Sequence, residues 1–70
     1  MTADILKRLR PKEALVLIKS VGLRKKYEDV LILNYVEDLT YEEISKRIHL
    51  TPESVGNLVH KARKQFEKYT

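Results

Sequence analysis

The sequence predicts an all-α fold, a small bundle of about four to five helices. Three observations carry that expectation. No stretch alternates apolar and polar residues over the length of a strand. Apolar residues recur instead at helical spacings of three and four. Glycine and proline are scarce, and Pro11, Gly22 and Pro52 punctuate the patterned segments. The 70 residues suffice for a single domain, 1–70. A chain this short buries only about 60% of its unfolded surface, so its helices must pack efficiently.

The first segment is short. Thr2 is placed to cap a turn or two carrying Ile5, Leu6 and Leu9. Pro11 disfavours helical geometry at Arg10, which ends that turn, and then suits the first position of a second helix. The second helix is expected to turn Leu15, Ile18 and Val16 inward and to stop at Gly22. A third helix, roughly 24–38, carries Tyr27, Val30, Leu31 and the run Leu33 to Val36, coverage wide enough for packing on two sides.

Thr40 stands three residues before Glu43, which is capping-box spacing. It predicts a fourth helix over about 41–48 with Ile44 and Ile48 inward. After the break "HLT", Thr51 can cap and Pro52 can begin a fifth helix, about 52–67. Val55, Val59, Ala62 and Phe66 are spaced four, three and four, a single stripe, with Leu58 beside it. A helix of about eight residues, a three-residue turn and a longer capped helix make the plan of a helix-turn-helix. Tightly turned helix pairs also occur in purely structural bundles.

Charge is segregated along the chain, whose net value is +4. Residues 1–26 carry eight Lys/Arg and two acids, residues 27–45 six acids and no Lys/Arg, and residues 46–70 six Lys/Arg and two acids. Basic ends around an acidic middle point to a polyanionic partner, set against simple solvation of helix surfaces. The chain has no cysteine, so neither disulfides nor thiolate metal sites are available, which fits a reducing compartment. The apolar runs are far shorter than the roughly 20 residues a membrane span needs, and the first residues lack the pattern of a signal peptide. A soluble, cytoplasmic protein without a membrane partner is expected. His49 and His60 lie 11 residues apart with no further His or Cys, so no metal or other cofactor is expected. No nucleophile–base pair is apparent either, and catalysis is not expected.

The stretch "YEDVLILNYVEDLTYEEISKRIHLTPESVGNLVHKARKQF" resembles the carboxy-terminal, −35-element-binding region 4 of bacterial sigma factors, and most of all the extracytoplasmic-function group. The resemblance rests on Tyr27, Val30, Leu31, Tyr35 and Glu37, on Leu39 to Ile44, and on His60 to Lys64, and covers about residues 24–66. It implies a helix-turn-helix over 24–67 preceded by a helical extension over 1–23. It also implies a bacterial or phage-encoded protein of the nucleoid, in contact with promoter DNA and RNA polymerase. Two departures stand out. His49 occupies a turn position where the family commonly has a small residue, and Gly56-Asn57-Leu58 replaces the family's usual basic and polar run. The other sigma domains do not fit in 70 residues, so a free-standing module, a fragment or part of a split system is expected.

Within the last helix Glu53, Ser54 and Asn57 are spaced to face outward together. Asn can pair bidentately with adenine, Glu can accept from cytosine, and Ser can bond either way. Thr51, Glu53 and Ser54 also suit a purely capping role. Lys61, Arg63 and Lys64 are candidate phosphate contacts, as are Lys46, Arg47, Thr40 and His60. Tyr41 is a candidate either for phosphate or for packing, and Leu58 for partial burial. The expected function is a sequence-preferring DNA-binding regulator with helix 52–67 in the major groove. The alternative is a protein-interaction module of the same fold that binds RNA polymerase or a sigma or regulatory partner without reading DNA; structured RNA is a third candidate. For residues 1–23 three roles stay open: bracing the motif, pairing two copies of the chain, or binding polymerase.

Overall fold

The computed structural model describes residues 2–70. Five α-helices follow one another: α1 (Ile5–Arg8), α2 (Pro11–Val21), α3 (Lys25–Leu31), α4 (Tyr41–Ile48) and α5 (Pro52–Tyr69). No strand occurs among the described residues. α5 runs two residues past the expected end and forms the spine, packed along both α3 and α4.

α1 is a single turn, too short to hold itself together in water. Asp4, not Thr2, occupies its N-cap position, and Asp4 makes no side-chain cap bond; Thr2 contributes only its carbonyl, to the Ile5 amide. Tertiary contacts fix the turn instead. Ala3 and Leu6 are fully buried, and the Ala3 amide donates to Glu67 Oε2 at 2.9 Å. Arg10 is extended, as Pro11 requires, and Pro11 opens α2. Gly22, at φ 77°, closes α2 in the left-handed region.

The inward face of α2 is Ala14, Leu17, Ile18 and Val21. This corrects the expectation of Leu15 and Val16: Val16 is 68% exposed, and neither packs on the core. In the run "ALVLI" nearly every position is apolar, so the local pattern cannot fix the rotation of the helix. The apolar face of residues 3–21 is used within the chain, against the same cluster that holds Ile44 and Phe66.

α3 does not continue to residue 38 as a regular helix. It widens into a π-helical stretch, Ile32–Val36, where the Glu37 amide reaches back five residues to the Ile32 carbonyl at 3.0 Å. Leu39 N–H then closes on the Leu33 carbonyl, Asp38 turns left-handed at φ 56°, and Asn34 Nδ2 donates to the Leu39 carbonyl at 3.0 Å. These bonds turn the chain abruptly into α4. Leu31, Val30, Ile18, Leu6, Ile44, Val55, Val59 and Phe66 are the largest fully buried side chains. Each is worth about 1.5–3 kcal/mol of transfer free energy.

Candidate nucleic-acid interface

The two helices of the motif are fixed by local chemistry. Thr40 Oγ1 accepts from the Glu43 amide at 3.2 Å, and Glu43 Oε1 accepts from the Thr40 amide at 3.0 Å. The Thr40 bonds hold the Glu43 carboxyl below the ordinary glutamate range, the backbone bond foremost, because they favour its charged form. At the other end of α4, His49 takes the left-handed conformation, φ 58°, and the amides of His49 and Leu50 both donate to the Ser45 carbonyl. Histidine tolerates this conformation better than most residues, so the unusual turn residue leaves a tight turn intact. The buried Ser45 hydroxyl is satisfied by the Glu42 carbonyl at 2.6 Å.

Thr51 caps α5: its Oγ1 accepts from the Ser54 amide at 3.1 Å and donates to Ser54 Oγ at 2.9 Å. Ser54 is therefore part of the cap, though its side chain remains exposed. Val55, Val59, Ala62 and Phe66 are all buried. The set Glu53, Asn57, His60 and Lys64 has the same spacing two residues earlier, about 200° around the helix, and lies exposed on the opposite side. Lys61 is exposed beside this set, and Leu58 packs against the core's edge.

The candidate cations do not form a single group. Arg63 is turned away, its Nη2 3.0 Å from Asp4 Oδ1 on the amino-terminal segment. It also lies near Tyr35, whose hydroxyl is raised above an ordinary phenol chiefly by burial, with Arg63 acting in the opposite sense. Arg47 sits 3.8 Å from Glu37, an open pair worth little in water. Lys46 is exposed at the end of α4, while the N–H and the hydroxyl oxygen of Thr40 serve the cap.

Two features were not legible in the sequence. Lys26 of α3 shares an open cleft of about 520 Å³ with Ser54, Asn57, Leu58 and Lys61 of α5, and Leu50 of the turn stands at its edge, 44% exposed. Lys26 lies on neither of the two helices α4 and α5, and the packing of α3 on α5 brings it there. The second feature is Tyr41, which lies against α5 at Gly56. A Cβ on Gly56 would sit 3.4 Å from Tyr41 Cε2 and 3.5 Å from Cδ2.

Among the described residues no helix is long and apolar enough to cross a membrane, and no cluster of three His, Cys, Asp or Glu is arranged to hold a metal ion. The family model described as Sigma-70, region 4 matches residues 21–66. No curated protein and no solved structure matches the chain.

Proposed function

The chain belongs to the sigma-70 region 4 family, which gives it a role in transcription on DNA or with RNA polymerase, and on that premise we propose that it reads duplex DNA with α5 in the major groove. One observation supports this above the others. Burial of Val55, Val59, Ala62 and Phe66 obliges Glu53, Asn57, His60 and Lys64 to face solvent. Asn57 is assigned to adenine, with Glu53 and Ser54 as lesser base contacts. Lys61, Lys64, Lys46 and Lys26 set register on the phosphates. Arg47 and Thr51 border the same surface, Thr40 can offer its hydroxyl hydrogen at the start of α4, and residues 1–23 brace the recognition helix from behind. The protein would act in the cytoplasm, at the nucleoid.

A second reading has its own support. The half-exposed Leu50 beside Leu58 offers an apolar contact that DNA phosphates do not need, which suits RNA polymerase or a regulatory protein as partner.

Titration of random duplex DNA at two salt concentrations separates the two. The DNA reader gives micromolar or tighter binding whose logarithm falls with log salt by about 0.9 per phosphate contacted. Lys61→Ala and Lys64→Ala should each lower that slope by nearly one, and Arg63→Ala by less, since Asp4 already engages it. Absence of binding at low salt would reject DNA reading in favour of the protein partner.

A further inference from the structure

We propose that Tyr41 is a base-reading residue, its ring taking the place on α5 that a side chain at position 56 would occupy and meeting the methyl group of a thymine. The inference rests on the DNA reading above and deepens it. Gly56 is the fifth residue of α5, inside the amino-terminal part that enters the groove in this motif. One turn to either side stand Glu53 and His60, both exposed. Glycine leaves the helix without a side chain at this point of the reading surface.

The gap is not empty. A Cβ on Gly56 would meet two atoms of the Tyr41 ring, Cε2 and Cδ2, at ordinary van der Waals distance. The ring is therefore propped against the recognition helix by a residue of the neighbouring helix. Its backbone is anchored locally, because Tyr41 is the first helical residue inside the Thr40–Glu43 capping box. Even so, 43% of the residue remains open to solvent. The part of the ring open to solvent presents an apolar surface against α5 at Gly56, a position that lies along the helix between the polar candidates Glu53 and Asn57. The apolar mark that the major groove displays is the C5-methyl of thymine, so thymine is the base this surface selects.

The space beside Gly56 also shows that packing does not demand glycine there. A methyl group at 3.4–3.5 Å from an exposed ring is accommodated, and glycine weakens a helix. A larger side chain at 56 would instead displace the ring from the surface it forms.

The test begins with selection of a preferred duplex from a random oligonucleotide pool by the intact wild-type chain. Each thymine of that duplex is then replaced singly by uracil, which removes only the methyl. At one position the wild type should lose roughly fourfold in affinity, the value of one buried methyl. Tyr41→Phe should keep that thymine–uracil difference and Tyr41→Ala should abolish it. Gly56→Ala should keep it, and Gly56→Leu should abolish it while leaving Tyr41 in the chain, a second route should Tyr41→Ala fold poorly. A selected duplex without thymine, a wild type indifferent to every uracil, or an unchanged difference in Tyr41→Ala would each overturn the inference and leave DNA reading standing. A Tyr41→Phe variant that loses affinity equally for thymine and uracil duplexes would assign the hydroxyl to phosphate and overturn it likewise. A wild type that selects no duplex would sink the DNA reading and this inference together.

Discussion

Gly56 sets helix stability against the surface that α5 presents. Relative to alanine, glycine inside a helix costs about 1 kcal/mol, and the neighbouring Tyr41 ring leaves room for a methyl group. Gly56→Ala should therefore raise the unfolding free energy by about 0.5–1 kcal/mol, visible as a Tm several degrees higher in a thermal melt. A lowered Tm would mean that the ring cannot give way. The sequence placed Gly56 on the recognition helix but not the ring beside it, because Tyr41 arrives from another helix. Arg63 teaches the same lesson. Nearness in sequence groups it with Lys61 and Lys64, whereas its partner Asp4 lies 59 residues away, out of reach of any local pattern. Asn57, Lys61 and Lys64 were legible because their outward placement follows from the buried stripe alone.

At the scale of the element, punctuation was the most readable feature. Pro11, Gly22, Thr40 with Glu43, and Thr51 with Pro52 each act within a few residues, so the chain announces these boundaries directly. Thr40→Ala removes one half of the α4 cap and should cost about 1 kcal/mol in denaturant unfolding. The pH dependence of the same cap has a definite sign. Thr40 lowers the folded-state pKa of Glu43 beneath its unfolded value, so the cap contributes stability above the ordinary glutamate range. That contribution is lost as pH falls through the lowered folded value. NMR titration of the Glu43 carboxyl should give a midpoint below that of an ordinary glutamate, moving back toward it in Thr40→Ala; an unshifted midpoint would contradict the cap. The π-helical stretch Ile32–Val36 was not legible. Its residues are good helix formers by pattern, and the widening is set by where Leu33, Asn34 and Leu39 close their bonds, which is a tertiary matter. The inward face of α2 was misplaced for the opposite reason, an excess of apolar residues in "ALVLI".

For the whole molecule, the amino-terminal residues are structural members and not a tail. The Cα radius of gyration, 11.0 Å, matches the roughly 11 Å expected of a chain this long packed to ordinary density. Leu6 is as deeply buried as Phe66. Leu6→Ala should cost about 2–5 kcal/mol, a large share of what a domain this small possesses. Circular dichroism on heating should show α5 melting together with the rest, not an isolated loss of α1. A variant that kept the wild-type Tm would show that residues 2–10 merely rest on the surface. The family match begins at residue 21, yet the hydrophobic cluster begins at Ala3, so the matched segment by itself lacks part of its own core.

The hydrogen bond from Ala3 to Glu67, with the ion pair from Asp4 to Arg63, also closes the polypeptide into something near a ring. A short peptide could splice the last turn of α5 to the first residues, and the chain could be cut anew at the Gly22 bend. Such a circular permutant would keep α4, the turn and α5 contiguous. Cargo fused at either end of the described residues would emerge beside the last turns of α5, at the pole remote from Thr51.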